Sequence, residues 1–139
     1  MPRFNRERLS RELASAEIDY VHLAELGGRR RPVTDSPNPG WKVEGFRGYA
    51  DHMASGEFTA GVDRLQAIAR ERPTAILCAE ALWWRCHRRL LADALVVRGW
   101  DVLHVGPDGT ATAHELTSFA AVDGTRLTYP SAQASLPLR

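Results

Sequence analysis

Three features of this chain predict an α/β domain: a mostly parallel sheet flanked by helices, followed by a C-terminal β-hairpin. The segments alternate as helix, strand, helices, strand, helix, strand, the order that a parallel sheet with right-handed crossovers requires. Two apolar runs of strand length, Ile18–Leu23 and Thr74–Ala79, precede polar loops that lead on to helices. Val122 and Leu127 flank Asp123-Gly124, a two-residue hairpin signal. A length of 139 residues supports one core and not two, so residues 1–130 are expected to form a single domain, with a frayed tail over 131–139.

The elements follow in order. Residues 5–17 read as a helix, with Asn5 as cap and Leu9, Leu13 and Ala16 on one face. Ile18, Tyr20 and Val21 give the next run its β-favouring side chains. Ala24 to about Glu44 is too rich in Gly and Pro for a regular element, and loops of that length are commonly lids or disordered. Phe46–Ala54 predicts a short helix. Glu57–Arg72 predicts a longer one, stopped by Pro73, with Phe58, Val62, Leu65 and Ala69 on the buried stripe. After the buried strand Thr74–Ala79 comes a helix over Arg88–Arg98, closed by Gly99. Trp100–Val105 reads as a strand, Pro107-Asp108-Gly109 as a turn and His114–Ala120 as a helical turn.

Composition excludes several classes. Hydrophobic residues make up 44% and charged residues 25%, as in ordinary globular proteins. No apolar run reaches bilayer length, so no membrane partner is expected. Met1-Pro2-Arg3-Phe4-Asn5-Arg6 lacks the apolar core of a secretory signal, which predicts a cytoplasmic protein. The two cysteines are then expected as thiols. A net charge of +1 argues against a generally basic nucleic-acid coat, although Arg29-Arg30-Arg31 and Arg85, Arg88 and Arg89 are clustered.

The chemistry concentrates in Cys78-Ala-Glu80-Ala-Leu-Trp83-Trp84-Arg85-Cys86-His87-Arg88-Arg89. It lies between a strand-like and a helix-like run, where open α/β sheets hold their ligands. Together with Tyr20-Val-His22-Leu23-Ala-Glu25-Leu26-Gly27-Gly28, Gly45-Phe46-Arg47-Gly48-Tyr49-Ala50, His114-Glu-Leu116-Thr117 and Leu127-Thr128-Tyr129-Pro130, the segment resembles the family known as domain of unknown function 488. The resemblance covers nearly the whole chain. It implies a Rossmann-like α/β fold and carries no established reaction. The family pattern opens with a further strand bearing Gly-His-Ser and Asp-Val-Arg, whereas this chain opens at Pro2-Arg3-Phe4-Asn5. Either the start is truncated or this member has lost the strand; the loss would leave an exposed sheet edge or a gap beside the central strand, which a homodimer would cover.

Cys78 is ordinarily read as a small apolar residue at a strand end. The sharper reading makes it a nucleophile, activated by Arg85, His87, Arg88 and the following helix N-terminus. Cys86 is then a packed thiol, a second activated thiol or a resolving partner, and Glu80 an acid or base. Cys78 reaches Arg85 across six residues, one more than a cysteine-phosphatase loop allows, and Trp83 and Trp84 replace the small residues such a loop needs. Cys78, Glu80, Cys86, His87 and His114 are possible zinc ligands, but their spacing fits no common closed site, so neither metal nor cofactor is expected. Gly27, Gly28 and Arg29 form a candidate anion-binding loop facing the thiols, with Arg85, Arg88 and His114 as further ligand-binding groups.

The expected activity is thiol-dependent chemistry on an anionic ligand such as a nucleotide or nucleic acid. The alternatives are a non-catalytic nucleotide or nucleic-acid binder using Trp41, Trp83, Trp84 and the arginines, and a degenerate oligomeric interaction domain.

Overall fold

A computed structural model describes residues 6–78 and 82–131. Four helices dominate: α1 (Arg6–Ser15), α2 (Glu44–His52), α3 (Gly56–Glu71) and α4 (Arg88–Val96). Four strands of three residues follow: β1 (Leu103–Val105), β2 (Ala111–Ala113), β3 (Ala121–Asp123) and β4 (Arg126–Thr128). The expected frayed tail lies outside the described residues, apart from Ser131.

Helix ends follow local chemistry. Ser55 caps α3 by accepting the Phe58 amide at 3.1 Å. α4 closes at Gly99, whose φ of +92° lets the Trp100 amide reach back to the Leu95 carbonyl at 3.1 Å. α1 ends the same way, with Glu17 at φ 61° and the Ile18 amide on the Leu13 carbonyl at 2.8 Å. Glutamate holds the left-handed position there without glycine's freedom, and α1 buries none of its residues.

The expected parallel, Rossmann-like sheet is not present among the described residues. The strands form two separate antiparallel pairs, β1 with β2 and β3 with β4. Residues 18–23 and 73–78 include no sheet strand. Their β-favouring residues lie open instead: Ile18 is 53% exposed, Val21 45% and Leu77 57%. A strand is completed by a partner's hydrogen bonds, and apolar side chains reveal only a liking for a pleated surface. The Trp100–Val105 strand shrinks to β1 and pairs with β2 in the register Leu103↔Ala113, a hairpin rather than a crossover. The expected helical turn over His114–Ala120 is irregular chain ending in a single turn.

The C-terminal hairpin forms, one residue displaced. Asp123 pairs with Arg126, so Gly124-Thr125 is the loop, and Gly124 takes the positive φ (63°) that the first loop position requires.

The core lies among α2, α3, α4 and the last hairpin. Tyr49, Phe58, Val62, Leu90, Leu91, Ala94, Leu127 and Tyr129 are its centre. Trp41 is buried with them, meeting Phe46, Phe119 and Tyr129 by ring edges or tilts. α2 can approach closely because it carries Gly48: a Cβ there would stand 2.0 Å from the Arg30 carbonyl oxygen.

The long loop between Gly27 and Val43 is pinned. Asp51 accepts from the Val33 amide (2.9 Å), the Ser36 hydroxyl (2.6 Å) and the Asn38 amide group (2.6 Å). Asn38 in turn accepts the Tyr129 amide at 2.8 Å, and the Gly40 amide donates to the Tyr129 carbonyl at 2.7 Å. A loop tied to α2 and to Tyr129 by these hydrogen bonds is part of the core's frame rather than a lid, although the buried Trp41 indole nitrogen finds no partner among the described residues.

Candidate thiol site

Cys86 sits two residues before α4, at the end of a 3-10 turn over Trp83–Arg85. The turn brings its sulfur back over the first amide of the helix. The Arg88 amide donates to Sγ at 3.3 Å and the Arg88 guanidinium Nε at 3.4 Å. His87 Nδ1 lies 3.7 Å away and Cys78 Sγ 2.7 Å away. Cys86 is buried and Cys78 half-buried. Burial alone pushes the Cys86 thiol up. The hydrogen bonds with His87 and Cys78 and those from both Arg88 donors outweigh it, and the thiol falls from 9.0 to about 6. The sulfur takes the acceptor's place at a helix N-terminus, where the backbone dipole also favours an anion.

The Gly27-Gly28 bend reaches this place from far along the chain. A Cβ on Gly28 would meet His87 Nδ1 at 2.8 Å, so only glycine leaves the imidazole its position. The other side of the ring packs on Tyr49, 5.1 Å between centroids. The Tyr49 hydroxyl donates to the Leu26 carbonyl at 2.9 Å, tying the bend to α2. Arg29 follows at φ 62° and is exposed. Arg30 turns inward, donating to the Gly27 carbonyl (3.2 Å) and the Ala24 carbonyl (3.1 Å) while pairing with Glu57 at 3.4 Å.

The structure thus brings together Cys78, Cys86, His87, Arg88 and Gly28. Gly27 is one residue away through the bend. Arg85 is exposed on the 3-10 turn. Glu80 lies outside the described residues.

His114 stands elsewhere, in a buried polar chain that sequence reasoning missed. Its Nε2 contacts Asp93 Oδ1 at 2.7 Å, and its Nδ1 contacts His104 Nε2 at 2.7 Å. Asp93 also accepts the Thr117 amide (3.1 Å) and the Tyr129 hydroxyl (2.8 Å). The carboxylate can only accept, so His114 Nε2 carries a hydrogen. With both rings neutral, His114 Nδ1 then accepts from His104 Nε2–H, leaving the lone pair of that ring on Nδ1. His104 stacks on Trp83 at 3.7 Å, nearly parallel. Burial, then His114 and Arg88, lower His104 from 6.5 to about 4. Trp83 therefore joins the two clusters: its turn leads to Cys86 and its ring lies on His104. One sequence signal was available. Asp93 interrupts the apolar run Leu90–Leu95, and a carboxylate on a buried stripe needs partners.

The tryptophans offer little stacking surface. Trp41 is buried and Trp83 is covered by His104, while Trp84 is 48% exposed. Among the described residues, no group of three or more His, Cys, Asp or Glu is placed to hold a metal ion. No helix among them is long and apolar enough to cross a membrane.

Fold and site together define a small helical protein with two minor hairpins and a dithiol at a helix N-terminus. The chain belongs to the family described as domain of unknown function DUF488, whose family model matches residues 1–95. The match runs through both cysteines and nearly to the end of α4, and stops before His104 and His114. No curated protein and no solved structure matches the chain.

Proposed function

We propose that the chain is a thiol-dependent enzyme whose nucleophile is Cys86, acting on an electrophile that carries negative charge. One observation carries this reading: four polar groups converge on one sulfur, the donors Arg88 N and Arg88 Nε together with His87 Nδ1 and Cys78 Sγ. A thiol kept only for packing needs no such company. Sequence order had favoured Cys78 as the nucleophile, but the helix N-terminus and the guanidinium lie on Cys86. Cys78 takes the part of a thiol neighbour. Arg88 supplies positive charge where an anionic substrate would approach, with exposed Arg29 and Arg85 as further attraction.

The test is a comparison of iodoacetate with iodoacetamide on the folded full-length chain, followed by peptide mapping. Cys86 should react, with a greater preference for the anionic reagent than a free cysteine shows. Arg88→Gln and added salt should each reduce that preference. An unreactive Cys86, or a reagent ratio equal to that of free cysteine, overturns the reading.

A non-catalytic binder of nucleotides or nucleic acid keeps one observation in its favour. Trp84 is 48% exposed and adjoins exposed Arg85. Salt-sensitive binding of an oligonucleotide that Trp84→Ala abolishes and Cys86→Ser spares would favour it.

A further inference from the structure

The chain has two cysteines, and the structure brings them into contact. Here the sulfurs of Cys78 and Cys86 lie 2.7 Å apart, held from different elements. Cys78 lies in the irregular chain after α3, and Cys86 ends the 3-10 turn before α4. Their separation is within about 1 Å of a disulfide bond length. The two sulfurs are also unlike. Cys86 is buried, with two Arg88 donors and the helix terminus beside it; Cys78 is half-buried.

We propose that Cys78 and Cys86 are a reversible dithiol–disulfide couple, oxidised by a hydroperoxide and reduced by small thiols, that switches the nucleophile off. This rests on the reading of Cys86 as nucleophile and names its regulation. The Cys86 thiolate attacks the outer oxygen of the hydroperoxide. An S–O bond forms, the O–O bond breaks, and the alkoxide or hydroxide leaves and takes up a proton. The sulfur of Cys86 is oxidised by two electrons and the peroxide reduced by two, giving a sulfenic acid. The Cys78 thiol then attacks that sulfur. The S–S bond forms, the S–O bond breaks, and hydroxide departs with the Cys78 proton as water.

Recovery follows thiol–disulfide exchange. An external thiolate attacks Cys78 and expels Cys86, the better leaving group. A second external thiol then resolves the mixed disulfide on Cys78, leaving both protein thiols reduced and the external pair oxidised. In a reducing compartment a disulfide of this sort is transient and serves sensing.

The experiment treats the wild-type chain with hydrogen peroxide, then reads intact mass, peptide map and iodoacetate labelling. The expected product has lost two hydrogens and shows a Cys78–Cys86 cross-linked peptide. Labelling of Cys86 should fall by about tenfold or more and return with dithiothreitol. In Cys78→Ser the reaction should stop at a sulfenic acid on Cys86 that dimedone traps. The wild-type measurement stands even if a variant folds poorly. Peroxide that gives a sulfinic acid at Cys86 with no cross-link, while iodoacetate still labels reduced Cys86, overturns the couple and spares the nucleophile. Failure of both reagents at Cys86 overturns both.

Discussion

Gly28 and His87, far apart in sequence, touch so closely that a methyl group on the glycine would lie 2.8 Å from the imidazole Nδ1. That nitrogen is the one facing Cys86 Sγ at 3.7 Å. The contact makes Gly28→Ala a probe of the site rather than of the fold, because an imidazole can swing where a backbone cannot. Crowding of this kind costs about 1–3 kcal/mol. The variant should fold, lose stability within that range on denaturant titration, and show slower Cys86 alkylation at neutral pH. An unchanged alkylation profile would mean that the ring contributes nothing to the thiolate.

Cys86 sets a pH dependence with a definite sign. Only the thiolate alkylates, so the rate should rise with pH, pass half-maximum near about 6 and level off above it. A thiol at its ordinary 9.0 would still be climbing at pH 8. The groups facing the sulfur are His87, Arg88 and Cys78, with Tyr49 behind from α2. Arg88→Gln removes the guanidinium and keeps the amide, so the midpoint should move up by about one unit rather than return fully. Peptide-resolved iodoacetamide labelling across pH checks both.

Asp93 gathers three buried groups onto one carboxyl group. It is fully buried and accepts from His114, Thr117 and Tyr129. Asp93→Ala leaves all three donors without their acceptor, and should cost about 3–5 kcal/mol of unfolding free energy. Tyr129→Phe removes one donor and should cost less, about 1–3 kcal/mol. Equal and small losses in urea unfolding would remove the network from any role in stability.

Acid should act through His104. Its folded-state value is depressed, so the folded chain refuses a proton that the unfolded chain accepts. Stability from this residue is fully present above about 6.5 and is lost as pH falls toward about 4. His104→Phe keeps a ring against Trp83 but cannot titrate. Its unfolding free energy should therefore fall less steeply than that of the wild type across that interval. Identical slopes would assign the acid sensitivity to other groups.

Much of the helical frame was legible in the sequence, because helices close their own hydrogen bonds within four residues. Ser55 before α3, Pro73 after it and Gly99 after α4 are local signals, and each acts where its chemistry says it should. The apolar stripe of Phe58, Val62 and Leu65 is buried as periodicity predicted. The hairpin glycine, the clustering of both thiols with His87 and Arg88 in one short segment, and the family itself were also within reach of the chain alone.

Tertiary structure decided the rest. Whether Ile18–Leu23 and Thr74–Ala79 become strands depends on partners that no local pattern encodes, and no ladder joins them among the described residues. Which sulfur has the Arg88 amide and guanidinium beside it depends on where Arg88 and the start of α4 lie in space, not on which cysteine follows an apolar run. Asp93, His104, His114 and Tyr129 come from four separate places in the chain, and only folding makes them one hydrogen-bonded path. Propensity and capping act over a few residues, whereas sheet pairing and the electrostatics of a buried group are set by neighbours distant in sequence.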